Sequence, residues 1–222
     1  MIRALVFDFD GLILDTETPI YLSWKEVYDA YGVPLPFELW VKTVGSSNQA
    51  FDPRHHLEER LGRPLPQDVV DRRVARRVEM VLAQPLLPGV AALLDEARAR
   101  GLKVGVASSS SGDWVDGHLE RLGILDRFEC RRSRDDVEHV KPEPDLYVAV
   151  LECLELAAAE AVAIEDSPNG ILAAKRAGMR CVAVPNPITA GLDASQADLL
   201  LGSLAEVTLD ELLTRLGRTR RP

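Results

Sequence analysis

Residues 4–17 read ALVFDFDGLILDTE. The first four are apolar, and the run stops abruptly at Asp8, with Asp10 and Gly11 close behind. A short apolar run that ends at acidic residues is typical of a strand buried on both faces of a parallel sheet. We therefore predict a strand over residues 4–7 that brings Asp8 to the carboxyl edge of a sheet.

Three more apolar runs end in the same way, at a polar residue or a proline: residues 104–107, 161–164 and 181–184. Helical patterns separate the runs. One opens at Pro88 and closes at Gly101, and another has Ser167 as its N-cap with Pro168 at the first helical position. This alternation predicts an α/β fold with a doubly wound, mainly parallel, Rossmann-like sheet.

A long insertion separates the first two runs. Residues 16–84 far exceed the length that a βαβ crossover needs, and their apolar residues recur at helical spacing. Trp24 and Tyr28 lie on one such face and predict a core belonging to the insertion. We predict an α/β core domain formed by residues 1–15 and 85–222, and an all-helical cap domain formed by residues 16–84.

The charge balance limits the possible partners. The 222-residue chain has 35 acidic and 26 basic residues, and its net charge of -9 repels nucleic acid and anionic lipid. It has no uncharged stretch of the length that a membrane span needs. We expect a cytoplasmic protein, monomer or homodimer, that binds neither nucleic acid nor membranes. Its cysteines, Cys130, Cys153 and Cys181, are widely spaced and predicted to be buried free thiols.

Chemically active side chains follow the predicted strands. They are Asp8 and Asp10 after the first, Ser108 after the second, and Glu165 with Asp166 after the third. Ligands of open α/β sheets bind beyond the carboxyl ends of the strands, so we expect these side chains to converge. Converging carboxylates repel one another unless a divalent cation lies among them, and an all-oxygen ligand set suits Mg²⁺. The sequence therefore predicts a magnesium site at this edge.

Four segments together resemble the four motifs of the haloacid dehalogenase-like hydrolase superfamily. They are DFDGLILDTE at residues 8–17, the region of Ser108, KPEPD at residues 141–145 and EDSPNG at residues 165–170. The resemblance spans the predicted core domain. The helical insertion after the first motif resembles that of the β-phosphoglucomutase and phosphoglycolate phosphatase branch. The resemblance implies an enzyme of phosphoryl transfer.

The resemblance implies a catalytic role for several of these residues. Asp8 would be the nucleophile that forms an aspartyl-phosphate, and Asp10 the general acid and then the general base. Ser108 would bind the phosphoryl oxygens, and Lys141 would neutralise the negative charge that grows during transfer. Capping of the next helix is the alternative role for Ser108.

Binding of the metal ion and of the substrate is assigned to a second set of residues, which includes some of the first. Asp8, the backbone carbonyl of Asp10 and Asp166 would hold Mg²⁺, with Glu165 either a ligand or a neighbour that orients the ligands. For the substrate, the candidates are Ser109 in the core domain and Arg54 and His55 at the start of a cap helix, with a solvated turn as the alternative for the last two.

These assignments predict a Mg²⁺-dependent phosphatase acting on a small phosphorylated metabolite, such as a sugar phosphate. The alternative is a β-phosphoglucomutase-like phosphosugar mutase. A binding protein that has the fold but no catalytic activity is a less favoured alternative. Where the mutases place a histidine and two cations, this chain has Ile20, Val44 and Asn48. Four arginines between residues 72 and 77 predict a solvated helix face, with a phosphate-facing patch as the alternative.

Overall fold

The structure is a computed structural model, which describes residues 1–41 and 51–218. Its strands are β1 (Ala4–Phe7), β2 (Lys103–Ala107), β3 (Cys130–Arg132), β4 (Ala161–Glu165), β5 (Arg180–Ala183) and β6 (Leu199–Leu200). Its α-helices are α1 (Glu17–Ala30), α2 (Phe37–Trp40), α3 (Pro53–Leu61), α4 (Gln67–Leu82), α5 (Val90–Ala99), α6 (Gly112–Arg121), α7 (Asp145–Leu154), α8 (Pro168–Arg176) and α9 (Leu209–Arg218). Short 3₁₀ turns occur at Leu125–Arg127, Arg134–Asp136, Ala158–Glu160 and Leu204–Glu206.

The strands form one parallel sheet in the order β3-β2-β1-β4-β5-β6. Side chains alternate between its faces, as the pleat requires. Leu5 and Phe7 pack into a cluster with α5, α6 and α9, whereas Ala4 and Val6 pack with α7 and α8. The sheet therefore lies between two helical layers, and the predicted doubly wound α/β fold is confirmed.

The strand register positions the reactive residues. In β1, Phe7 is paired with Val106 of β2 on one side and with Ile164 of β4 on the other. The residues that follow these three strands therefore leave the sheet side by side at its carboxyl edge.

Helices α1 to α4 lie between β1 and β2, where the helical insertion was predicted. They share an apolar cluster in which Tyr28 and Leu57 are fully buried and Trp24 nearly so. Ile188, from the loop after β5, also belongs to this cluster and ties the inserted helices to the sheet's carboxyl edge. Among the described helices, none is both long enough and apolar enough to cross a bilayer.

The prediction of three free thiols was wrong for two of them. Cys130 on β3 and Cys153 on α7 form a disulfide, whereas Cys181 is a buried free thiol as predicted. The pairing is possible because α7 packs directly on β3, which brings the two Cα atoms within 6.2 Å. Spacing along the sequence does not indicate this contact, because the two cysteines are 23 positions apart.

Candidate active site

Three buried carboxylates meet at the carboxyl edge of the sheet. Asp8 follows β1, Glu165 ends β4 and Asp166 comes next, and each contributes an oxygen within 4.8 Å of the others. Asp8 is fixed to the neighbouring strand because its backbone N–H donates to the carbonyl of Ile164 at 2.9 Å. The structure thus brings together the acidic residues of the first and fourth motifs, as the strand-end argument predicted.

Lys141 lies between two of these carboxylates. Its Nζ donates to Asp8 Oδ1 and, at 2.6 Å, to Glu165 Oε1. The hydroxyl of Tyr147 donates to the same Glu165 oxygen at 2.5 Å. Burial lowers the pKa of Lys141, but attraction to Asp8 and Glu165 outweighs it and holds the pKa above its usual value. Lys141 is therefore a fixed positive charge beside Asp8.

The cluster carries more negative charge than one ammonium group can balance. Burial raises the pKa of Asp8 to about 8, with attraction to Lys141 opposing and repulsion from Glu165 and Asp10 adding to it. Burial and repulsion from Asp8 and Glu165 raise the pKa of Asp166 well above its usual value. Protonation or a bound cation would relieve this repulsion.

Asp10 is half-buried and accepts hydrogen bonds at both carboxylate oxygens. Thr16 Oγ1 and Trp114 Nε1 donate to Oδ1 at 2.8 and 2.9 Å, and Ser110 Oγ and Ser108 Oγ donate to Oδ2 at 2.6 and 3.3 Å. These donors belong to two separate parts of the chain, the start of α1 and the segment from Ser108 to Trp114, which includes the first turn of α6. The carboxylate of Asp10 is thereby held in one orientation.

Thr16, Ser110 and Trp114 were not among the predicted site residues. Thr16 lies within the first motif and Ser110 in the serine run after β2, so both were within reach of the motif argument. Trp114 offered no such signal, because its contact with Asp10 depends on how α6 is set against the sheet. His118, one turn further along α6, is buried edge-on against the Trp114 ring at 4.4 Å between centroids.

The chain turns sharply at Gly11 to keep Asp10 at the site. Gly11 has φ of +83°, and a Cβ there would lie 2.4 Å from Asp166 Oδ2 and 2.5 Å from Asn186 Nδ2. Only glycine combines this backbone conformation with so close an approach. Gly11 therefore lets the first motif pack directly against Asp166.

Asn186, in the loop after β5, is another site residue that was not predicted from the sequence. Its Nδ2 donates to Asp166 Oδ2 at 2.7 Å and to the Gly11 carbonyl at 3.2 Å, while its Oδ1 accepts from the backbone N–H groups of Ile188 and Thr189. This network fixes both the amide orientation and the position of Asp166. Asn186 lies just beyond the carboxyl end of β5, a strand of the same sheet, and its position after that strand is the signal that could have identified it.

Glu17, in the first turn of α1, is a further carboxylate near the cluster. Burial raises its pKa to about 7, with repulsion from Asp10 and Asp15 adding to the effect. Glu17 in turn contributes to the raised pKa of Asp166. The inserted helices thus add negative charge where the site already has an excess.

The two serines proposed to contact the phosphoryl group differ in their hydrogen bonding. Ser108 is fully buried, and its Oγ accepts from the Ser110 backbone N–H at 3.0 Å as well as donating to Asp10. The Oγ of Ser109 is buried and has no hydrogen-bond partner within the described part of the chain. A buried hydroxyl without a partner is costly, so Ser109 is suited to a polar ligand.

Arg54 and His55 lie on α3, and each side chain bonds to a residue one turn away. Arg54 Nε donates to Glu58 at 2.9 Å, and His55, which is largely exposed, pairs with Glu59 at 3.2 Å. No contact joins either side chain to the acidic cluster among the described residues. Their assignment to the substrate stays a prediction.

A comparison with protein families accounts for this arrangement of residues. Residues 2–178 match the family model of the haloacid dehalogenase-like hydrolases. This chain belongs to that family. The matched residues include the four motifs on which the resemblance was based, together with the inserted helices.

Relatives in the haloacid dehalogenase-like family cover almost the whole chain. "Putative phosphatase YhcW" of Bacillus subtilis (strain 168) is 46% identical, over 98% of this chain and 99% of its own. Hexitol phosphatase B of Escherichia coli (strain K12) is 32% identical, over 96% of this chain and 97% of its own. The crystal structure of CbbY from Rhodobacter sphaeroides in complex with phosphate has a TM-score of 0.71 and 30% identity, over 96% of this chain and 99% of its own.

The donor set of the cluster suits the divalent metal ion that haloacid dehalogenase-like enzymes generally use. The available ligands are carboxylate oxygens, which hard cations such as Mg²⁺ prefer over nitrogen or sulfur donors. Asp8, Glu165 and Asp166 are buried with a single ammonium group, so a cation would also balance their charge.

Proposed function

We propose that this chain is a Mg²⁺-dependent phosphatase that hydrolyses a small phosphorylated metabolite through an aspartyl-phosphate on Asp8. The observation that carries the proposal is the buried carboxylate of Asp8, held against Lys141 within a cluster of three carboxylates. The names of the relatives YhcW and Hexitol phosphatase B support a phosphoric monoester as the substrate class.

The reaction proceeds in two displacements. A carboxylate oxygen of Asp8 attacks phosphorus, the bond from phosphorus to the ester oxygen breaks, and Asp10 gives that oxygen a proton. Asp10 then takes a proton from a water molecule whose oxygen attacks phosphorus. The bond from phosphorus to Asp8 breaks, which releases inorganic phosphate, restores the Asp8 carboxylate and leaves Asp10 protonated for the next cycle.

The neighbouring residues bind the transferring group and the metal. Ser108 and Ser109 supply hydroxyls for the phosphoryl oxygens, and Lys141 supplies positive charge. Asp8, Asp166 and the backbone carbonyl of Asp10 would hold Mg²⁺, with Glu165 orienting Lys141. When bound, the ion neutralises charge on the phosphoryl oxygens and lowers the barrier to attack by an anion.

The inserted helices act as a cap, with residues 16–84 as the cap domain and residues 1–15 and 85–222 as the core domain. The bond from Thr16 to Asp10 supports this role because it links the start of α1 to the general acid. Closure of the cap over the substrate excludes bulk water and aligns the reacting groups. We place the enzyme in the cytoplasm as a monomer or homodimer.

Hydrolysis is favoured over the mutase reaction. Ile20, at the position where the mutases carry a histidine, is partly buried in the apolar cluster of the inserted helices. Val44, Gly45 and Asn48, at the positions of the other mutase residues, lie outside the described residues. An isoleucine cannot transfer a proton, so net hydrolysis through Asp10 is the simpler outcome.

A turnover screen tests the proposal. The purified protein is incubated with p-nitrophenyl phosphate and with a panel of sugar, polyol and organic acid phosphates, with Mg²⁺ or with excess chelator. We expect release of inorganic phosphate that chelation abolishes and added Mg²⁺ restores. A folded protein that releases phosphate from no compound of the panel, or that keeps full activity in chelator, would refute the proposal.

Replacing Asn186 with alanine should weaken metal activation. Without its amide, Asp166 loses the donor that fixes Oδ2, so the Mg²⁺ concentration for half-maximal activity should rise by about 10- to 100-fold. Activity at saturating Mg²⁺ should fall much less. The measurement is a Mg²⁺ titration of initial rates, with Gln67→Ala, which removes an exposed amide at the start of α4 that donates to Asp71, as the control. An unchanged half-saturation value would contradict this role.

A further inference from the structure

The four arginines of α4 fall into two pairs with different surroundings. Arg72 and Arg76 are exposed and paired with carboxylates: Arg72 with Asp68 at 3.0 Å, and Arg76 with Glu79 at 2.8 Å and with Glu26. Their side chains make the solvated face that the sequence predicted. The second pair, Arg73 and Arg77, is partly buried.

No carboxylate of the described residues forms a salt bridge with Arg73 or Arg77. The Nε atoms of both are buried and have no hydrogen-bond acceptor within residues 1–41 and 51–218. The chain has 35 acidic residues, so carboxylates that could have paired with them are not scarce. Two neighbouring guanidinium groups without anions are costly when they are partly removed from water.

The helix geometry shows which face carries this pair. Arg73, Arg77 and Val81 are spaced by four residues and therefore share one side of α4. Val81 is buried in the apolar cluster that also contains Phe9, the residue between Asp8 and Asp10. The two arginines thus lie one and two turns before Val81, on the side of α4 that packs into the apolar cluster of the sheet.

The contact of Arg73 with α1 indicates how far Arg73 lies from the reacting carboxylates. Its guanidinium carbon lies 4.6 Å from the centre of the Trp24 ring. Trp24 is seven residues along α1 from Glu17, which lies near Asp10 and Asp166, and seven residues of helix span about 10 Å. Arg73 is therefore set back along α1 from the reacting carboxylates by roughly the length of a small metabolite.

From these contacts we propose that Arg73 and Arg77 form a distal anion site that binds a second anionic group of the substrate. The proposal rests on the proposed phosphatase function and specifies its substrate class, a phosphomonoester that carries a further phosphate or carboxylate. Guanidinium groups suit either anion because they donate two parallel hydrogen bonds. Binding of the distal anion to α4 would also favour closure of the cap over the reacting ester.

Equilibrium binding tests the site without depending on turnover. The Asp8→Asn protein is titrated calorimetrically with fructose 1,6-bisphosphate, 6-phosphogluconate and fructose 6-phosphate. The first two carry a second phosphate or a carboxylate, and the third carries neither. We expect tighter binding of at least one of the first two, and adding Arg73→Gln and Arg77→Gln should weaken that binding about 100-fold while changing fructose 6-phosphate binding less than threefold.

The matched control is Arg72→Gln with Arg76→Gln, which removes the same charge from the exposed face of α4. It should leave all three affinities within about threefold. The proposal is overturned if no ligand with a second anion binds more tightly than fructose 6-phosphate, if the inner pair weakens all three equally, or if the control pair has the same effect. Failure of the phosphatase function would appear separately, as absence of phosphate release by the wild type.

Discussion

Replacing Asp8 with asparagine should lower turnover by about 10⁴-fold or more while the protein stays folded. An amide cannot form the acyl-phosphate bond, and Glu165, the other carboxylate that contacts Lys141, lies at the end of β4 and also accepts from Tyr147. The measurement is the rate of phosphate release from p-nitrophenyl phosphate with saturating Mg²⁺. The matched control is Asp29→Asn, which removes an exposed carboxylate paired with Lys25 and should keep full activity.

Thermal unfolding separates loss of chemistry from loss of fold. The pKa of Asp8 is raised from 3.8 to about 8, so in the metal-free protein its ionisation destabilises the folded state as pH rises from about 4 to 8. The amide of the Asp8→Asn variant cannot ionise. The variant should therefore melt at least as high as the wild type at pH 6, with a margin that grows toward pH 9. A variant that is unfolded, or that retains a rate within tenfold of the wild type, would contradict Asp8 as the nucleophile.

The sheet and its reactive edge could be predicted because they follow from local sequence. An apolar run that stops at an acid specifies both a buried strand and what lies at its end, which is why Asp8, Glu165 and Asp166 were found together. Strand β6 escaped notice because two residues, Leu199–Leu200, carry no periodic signal. Asn186 was missed for a different reason: the apolar run of β5 is followed by Pro185, and Asn186 lies one residue further, in the loop after the strand.

Contacts between distant elements could not be predicted in this way. The bond from Trp114 to Asp10 joins residues 104 positions apart, and the Cys130–Cys153 disulfide depends on the packing of α7 against β3. The separation of the α4 arginines into an exposed pair and a partly buried pair was partly predictable from the sequence. Arg72 has Asp68 four residues before it, whereas Arg73 and Arg77 have only valine or each other at that spacing, so helical spacing alone could have separated the pairs.

Replacing Asp10 with asparagine should affect alkyl and aryl esters differently. An alkoxide leaving group needs the proton that Asp10 supplies, so the formation of the aspartyl-phosphate should slow by about 10²- to 10⁴-fold. A nitrophenolate leaves without protonation, so this step should be nearly normal with p-nitrophenyl phosphate. Hydrolysis of the aspartyl-phosphate still requires Asp10 as a base. The variant should therefore release one equivalent of nitrophenolate rapidly and then turn over slowly.

Stopped-flow absorbance measures this burst, and single-turnover assays with a sugar phosphate measure the alkyl ester. Asp15→Asn is the matched control, because Asp15 belongs to the same motif but accepts from the Thr18 backbone N–H, a capping role that asparagine also fills. It should show neither burst nor slow turnover. Asp10 would not be the acid and base if the Asp10→Asn variant hydrolysed the sugar phosphate within tenfold of the wild-type rate. The same conclusion would follow if both esters slowed equally without a burst, because the four donors around this carboxylate would then serve only to hold the loop between β1 and α1.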